Sequence, residues 1–246
     1  MKTFGILGYP LDHTYSPAYY NERFKRQAIE AEYLKFELEH IADFPFLLSQ
    51  YPDLCGFNVT IPHKENILPY LNSVSAEARA IGAVNCVTVK HHEGRPYLTG
   101  YNTDMDGFRN ALLAFIPEYI TQALVLGNGG AAKAIRYALH SLGIKYLTVS
   151  RTPQEPGQIG YTEVAAHLPT HRLVVNTTPL GTYPDTQNCP PIPYELLTTN
   201  HYLFDLVYNP SVTTFMQNGQ RAGAHTCNGH AMLLGQAERN WDIWEL

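Results

Sequence analysis

The chain has 246 residues, enough for one large domain or two modest ones, and its 45% apolar content is that of an ordinary globular protein with a packed core. Seventeen Lys and Arg stand against 22 Asp and Glu, a net charge of 17 − 22 = −5. With no long basic run, this argues against nucleic acid or an anionic membrane surface as the main partner.

Residues 4–7 form the first apolar run and read as a strand. The run is too short for a signal-peptide core and no cleavage site follows it. No later stretch approaches the ~20 apolar residues of a membrane helix, so a soluble, cytoplasmic protein is expected. A helix from 17 to about 31 comes next, with Ser16 as N-cap and Pro17 in the first turn. Residues 33–37 read as a strand, 44–50 as a short helix and 56–60 as a third strand. Helices are expected over 64–71 and 75–81, then a hairpin of 83–90 with 95–100 closed by the polar turn 91–94. After a helix over 105–114, the pattern becomes more regular. A strand at 123–126 feeds a helix at 131–142, and strands follow at 146–149, 173–176 and 202–206. Strand–helix–strand order with apolar strands implies a parallel sheet covered on both faces. The last segment, 232–244, is helical. The expectation is two α/β domains flanking a cleft: a substrate domain over 1–103, joined by the returning segment 229–246, and a Rossmann-type domain over 104–228.

Cys55, Cys86, Cys189 and Cys227 show no CxxC spacing and read as free thiols of a reducing cytosol. Eleven histidines show no HExxH pattern, and no metal site is expected.

Chemistry-bearing residues fall at the ends of the predicted strands. The run from Asn58 through Thr60 to Lys64, together with Asn85 and the triplet Asn102, Thr103, Asp104, offers an amine, a carboxylate, amides and hydroxyls. Such groups suit a small, oxygen-rich molecule, and a lysine beside an aspartate can move a proton at a carbonyl or alcohol oxygen. Thr14 and Ser16 set two hydroxyls at a helix start, a place that attracts carboxylates.

The sequence Gly127, Asn128, Gly129, Gly130, Ala131, Ala132 fits G-x-G-x-x-A between a strand and a helix, the arrangement that cradles a dinucleotide pyrophosphate. An NAD site usually ends the following strand with an acid that accepts from the ribose 2′-hydroxyl. Here the strand ends Ser150, Arg151, Thr152, which suits a 2′-phosphate, so NADP is favoured over NAD. A proton-transfer pair and a dinucleotide site together point to hydride transfer to or from a polyhydroxylated acid.

At these residues the chain closely resembles the shikimate dehydrogenases of the shikimate/quinate dehydrogenase family. The match is carried by residues 8–17, 58–64, 82–85, 102–104, 127–131, 150–152, Asn228 with Gly229, and Gln236, in the family's order. The resemblance implies NADP-dependent, reversible reduction of 3-dehydroshikimate to shikimate, a step toward aromatic amino acids. It puts the catalytic pair on Lys64 and Asp104, and substrate contacts on Thr14, Ser16, Thr60, Asn85, Asp104, Tyr208 and Gln236. Nicotinamide-side contacts fall near Leu206 and Gly229. The partner is then a small molecule, and the protein a monomer or homodimer. Thr14 stands where a serine is usual. Gln154 stands where the family often has a second basic residue, and Pro153, Pro156 and Gly157 make a helix there unfavourable. The alternatives are a broader quinate/shikimate dehydrogenase and a non-catalytic NADP- or metabolite-sensing protein on the same fold.

Overall fold

Two six-stranded sheets organise the chain, each built around a strand whose two neighbours both follow it in the chain and flank it on either side. A computed structural model describes residues 1–12 and 14–246; His13 lies outside them. These residues divide into two compact units, Met1–Thr103 with Asn240–Leu246 (unit 1) and Asp104–Arg239 (unit 2). The boundary falls inside the last helix, so the segment that rejoins unit 1 is Asn240–Leu246 and not the whole of 229–246.

In chain order, unit 1 contains β1 (Lys2–Gly8), α1 (Ser16–Arg26), β2 (Ala31–Glu37), α2 (Phe44–Gln50), β3 (Leu54–Val59), β4 (Ser73–Val74), α3 (Ala76–Ile81), β5 (Cys86–His92) and β6 (Arg95–Tyr101). Its sheet has the order β2-β1-β3-β5-β6-β4 and is mixed: β1 runs parallel to β2 and β3, while β3–β5 and β5–β6 are antiparallel. The hairpin is tighter than expected. His91 and His92 belong to β5, and the turn is Glu93–Gly94, both at positive φ (52° and 77°), the twist that suits two antiparallel strands.

Helix α1 also ends earlier than the expected residue 31. Ala28 takes a left-handed φ of 53°, Ile29 N donates to Phe24 O at 3.0 Å and Ala28 N to Lys25 O at 3.3 Å. This is the 6→1 and 5→2 pairing of a Schellman stop, made here with alanine instead of the glycine that would mark it in sequence. The helix expected over 64–71 is replaced by turns and a short 3-10 segment, Leu68–Tyr70, where Pro69 contributes no N–H and disfavours helical backbone at Leu68.

Aromatic rings fill one side of this sheet. Tyr20 stacks on Tyr33 at 4.6 Å, Phe4 packs against Trp244 at 5.1 Å, and the Arg23 guanidinium lies 3.9 Å over the Trp241 ring. Trp244 Nε1 donates to Val87 O at 3.1 Å, and a Cβ on Gly56 would come within 2.4 Å of that nitrogen, so the strand must be bare there. Both tryptophans thus seal the core of unit 1.

Unit 2 runs α4 (Asp104–Phe115), β7 (Gln122–Leu126), α5 (Gly130–Ser141), β8 (Lys145–Val149), β9 (Gln158–Ile159), α6 (Val164–His167), β10 (Leu173–Asn176), β11 (Tyr202–Asp205), α7 (Thr214–Arg221), β12 (His225–Cys227) and α8 (His230–Ile243). Its strands are all parallel in the order β12-β11-β10-β7-β8-β9. Strands β7, β10 and β11 are apolar but for one end residue each, and Leu124, Leu126, Val149, Val174 and Leu203 are fully buried. The residues from Arg151 to Gly157 form no helix. The four cysteines are free thiols, and among the described residues no helix is long and apolar enough to cross a membrane.

Candidate active site

Open α/β sheets bind ligands beyond the carboxyl ends of their strands, where the strand order reverses. In unit 1 that place is the end of β1, between β2 and β3. A Cβ on Gly8 would lie 2.3 Å from Thr60 Cγ2 and 2.9 Å from Ile61 O, so glycine lets the two strand exits lie side by side. The loop after β1 is clamped at Leu11, whose N donates to Glu37 Oε1 at 3.2 Å and whose O accepts from Lys35 Nζ at 2.8 Å. That loop leads into half-buried Thr14 and buried Ser16. Ser16 is the first helical residue and not the N-cap; Tyr15 holds the cap position with no side-chain bond. The Ser16 hydroxyl instead lies close enough to the Tyr33 phenol to oppose the upward push of burial, which holds that phenol well above its ordinary range.

From Tyr33 a buried polar chain crosses the sheet. Tyr33 Oη donates to Asn58 Oδ1 at 2.7 Å, and Asn58 Nδ2 donates to Asn85 O at 3.0 Å. Asn85 Nδ2 donates to Thr103 Oγ1 at 3.0 Å while Thr103 N returns a bond to Asn85 Oδ1 at 2.7 Å. Thr103 Oγ1 donates to Asn240 Oδ1 at 2.7 Å, and Asn240 Nδ2 to Tyr20 Oη at 3.0 Å. Buried polar groups hold position only when their partners are satisfied, so this chain fixes Asn85 and Tyr33, beside Ser16, to one frame. Lys64 is tied to the same frame through its backbone, Val84 N donating to Lys64 O at 2.8 Å. Its neighbour His63 is buried, with Nε2 donating to Leu38 O at 2.5 Å. Thr103, Asn240, Tyr33 and Tyr20 had no role assigned from sequence. Only Thr103, inside the Asn102–Asp104 triplet, carried any signal there.

In unit 2 the strand order reverses at β7. Gly127 follows it at φ 108°, a backbone suited to glycine, and a Cβ there would lie 2.7 Å from Thr177 Oγ1. Gly127 N donates to Val149 O at 2.9 Å and Thr177 N to Leu126 O at 2.9 Å, which fixes the turn between β8 and the exit of β10. Among the described residues, nothing beyond its chain neighbours lies within 4 Å of where a Gly129 Cβ would stand, and Gly129 N-caps the twelve-residue helix α5. An open glycine turn leading into a helix N-terminus fits a dinucleotide pyrophosphate. Ser150 Oγ accepts from Thr152 N at 3.2 Å, shaping the exit of β8 and leaving Arg151 exposed. Arg151 lies close enough to Tyr161 for its charge to oppose the upward push of burial on that phenol.

Leu206 and Gly229 come together: a Cβ on Gly229 would fall 2.1 Å from Leu206 O, and Gly229 N donates to Val207 O at 3.1 Å. Tyr208 follows on the same segment, half-buried, its phenol pushed up by burial. The segment hangs from Asp205, fully buried, whose Oδ1 accepts from Asn176 Nδ2 at 2.9 Å and Val207 N at 3.0 Å and whose Oδ2 accepts from Thr213 Oγ1 at 2.6 Å. Burial pushes its carboxyl up to about 6, against those three donors. Asp104 is buried at the start of α4, where the helix N-terminus favours a carboxylate. Gly107 of α4 would meet Met232 O at 2.4 Å and Gln236 N at 2.8 Å through a Cβ, so bare glycine brings α4 and the Gln236 turn of α8 into contact. Asp104 and Gln236 therefore share unit 2, whereas Lys64, Thr60, Asn85, Thr14 and Ser16 belong to unit 1.

Comparison with known proteins agrees with this fold. Residues 6–87 match the model of the shikimate dehydrogenase substrate binding domain. A shikimate dehydrogenase (NADP(+)) of Carboxydothermus hydrogenoformans is 36% identical over 260 residues, covering 99% of this chain and 91% of the relative. One from Methanococcus maripaludis is 33% identical over 259 residues, covering 99% of this chain and 91% of its own. Among solved structures, shikimate 5-dehydrogenase from Thermus thermophilus, in complex with NADP(H) and shikimate, superposes with a TM-score of 0.85 at 33% identity, covering 99% of this chain and 93% of that one. The chain belongs to the shikimate dehydrogenase family.

Proposed function

We propose that the protein catalyses the NADP-dependent, reversible reduction of 3-dehydroshikimate to shikimate. The observation that carries this reading is the mounting of Lys64: its backbone is bonded to Val84, next to Asn85 just before β5, within the polar frame that reaches Tyr33 beside Ser16. The relatives named above align over nearly the whole of this chain and carry the same activity in their names. The Thermus neighbour binds both NADP(H) and shikimate.

Gly127, Gly129 and Gly130 would receive the pyrophosphate, Ser150, Arg151 and Thr152 the adenosine end, and Leu206 and Gly229 the nicotinamide end. Asn128 and Ala131 complete the glycine turn. When bound, NADPH supplies the hydride. Thr14 and Ser16 hold the substrate carboxylate, and Thr60, Asn85, Tyr208 and Gln236 hold ring hydroxyls, which contributes orientation. As C3 of the ketone gains the hydride, negative charge grows on its oxygen. The Lys64 ammonium stabilises that charge and donates the proton that completes the alcohol. Asp104 accepts a hydrogen bond from the neighbouring ring hydroxyl.

Absorbance at 340 nm tests the reading, with shikimate or quinate as reductant and NADP or NAD as acceptor. Shikimate with NADP should give the highest kcat/KM. Quinate as the better substrate would move the assignment to the broader quinate/shikimate activity. No NADPH formation from either would refute an oxidoreductase reading.

A further inference from the structure

The sequence lacks a second basic residue after Arg151, where Gln154 stands and Glu155 adds a negative charge. The fold brings one from elsewhere. Arg136, on the second turn of α5, donates from Nη1 to Asn128 Oδ1 at 2.7 Å and to Thr148 Oγ1 at 3.4 Å. Its guanidinium therefore spans from the glycine turn to the last residues of β8. Thr148 and Ser150 are two apart along an extended backbone and so face the same side, roughly 6–7 Å from one another. Arg136 thus lies on the Ser150 face of the strand exit, beside the place where a ribose 2′-substituent sits in dinucleotide folds of this type.

Both Nη1 hydrogens are used, whereas among the described residues Nε and Nη2 find no hydrogen-bond partner and are not sealed from solvent. Among the described residues no carboxylate lies within ion-pair distance of this guanidinium. A half-buried cation held in place by two neutral acceptors, with a second edge of its fork unused, is suited to an incoming phosphate.

We propose that Arg136 is a second determinant of NADP specificity, supplying from α5 the charge that the shortened segment after Arg151 does not. The inference rests on the NADP reading above. The alternative role for this side chain is a brace for the glycine turn, which would serve NAD and NADP alike. The two separate cleanly in a binding experiment that needs no turnover.

The full chain and its Arg136→Gln and Arg136→Lys variants are titrated calorimetrically with 2′,5′-ADP and with 5′-AMP, which differ only in the 2′-phosphate. Circular dichroism melts verify that each variant is folded. Arg136→Gln should weaken 2′,5′-ADP by about 3- to 30-fold, below the full value of a charged hydrogen bond because the site is partly screened, and leave 5′-AMP within about twofold. Arg136→Lys, which keeps the charge without the fork, should fall between. Unchanged 2′,5′-ADP binding in Arg136→Gln, or equal losses for both ligands, would overturn the proposal while leaving NADP use intact. A parent protein that binds 2′,5′-ADP no better than 5′-AMP would overturn the NADP reading itself.

Discussion

Replacing Gly229 by alanine probes the contact that brings the start of α8 against the exit of β11. Gly229 has no left-handed φ, so any strain comes from the added methyl alone. That methyl would stand 2.1 Å from Leu206 O, 2.7 Å from Leu206 C and 3.1 Å from Leu206 Cα. All three are backbone atoms and cannot swing aside as a side chain can. Relief requires a displacement of about 1 Å, and overpacking of this kind costs about 1–3 kcal/mol. In a protein of this size that lowers Tm by about 3–10 °C. The displacement passes through the bond from Gly229 N to Val207 O into the segment carrying Leu206 and Tyr208. An error of about 1 Å in positioning can lower turnover about 100-fold, so kcat/KM for shikimate oxidation should fall by roughly one to two decades. Thermal melts and steady-state rates at 340 nm measure both effects. A variant with the parent's Tm and the parent's kcat/KM would refute the claim that this close approach shapes the nicotinamide side.

Gly129→Ala should behave oppositely: its backbone (φ −84°, ψ −174°) admits alanine and, among the described residues, no atom beyond its chain neighbours lies within 4 Å, so Tm should hold while the KM for NADP rises. A lower Tm with unchanged KM would contradict an open phosphate cradle. Thr103→Val removes a hydroxyl bonded to both Asn85 and Asn240 in a buried setting, and urea titration should show a loss of about 2–4 kcal/mol. A loss below about 0.5 kcal/mol would show the polar chain to be dispensable. For Asp205, the folded-state value of about 6 exceeds the reference 3.8, so its stabilising contribution is full below about pH 4 and is lost as pH rises through about 6. Asp205→Asn has no such titration, and its stability relative to the parent should therefore climb by about 2 kcal/mol between pH 4 and pH 7. A pH-independent difference would place the carboxyl in its ordinary range.

Much of this fold was legible because apolar runs of parallel-sheet strands leave no ambiguity about burial. Residues 173–176 were located to the residue, and the glycine turn after 126 was recognised by its place between strand and helix. The stop of α1 was illegible because Ala28 adopts a conformation that sequence assigns to glycine. The helix expected after Lys64 does not form because Pro69 supplies no N–H and disfavours helical backbone at Leu68. The candidate site residues that sequence alone offers are those whose chemistry is local: the amine at 64, the acid at 104, the arginine at 151. It was illegible where the chain meets itself far along the sequence. Thr103 and Asn240 are 137 residues apart, and nothing in either neighbourhood announces the hydrogen bond between them. Arg136 likewise looks like an ordinary exposed helical charge until Asn128 and Thr148 are seen on either side of it.

The role assigned to Lys64 is checked by the turnover of Lys64→Ala beside the parent, with shikimate and NADP both saturating. A general acid/base contributes roughly 10²–10⁴-fold, so kcat should fall by that factor in a protein that melts at the parent's temperature. A kcat within a few-fold of the parent's would contradict proton transfer by this lysine, and with it the chemistry proposed for the site.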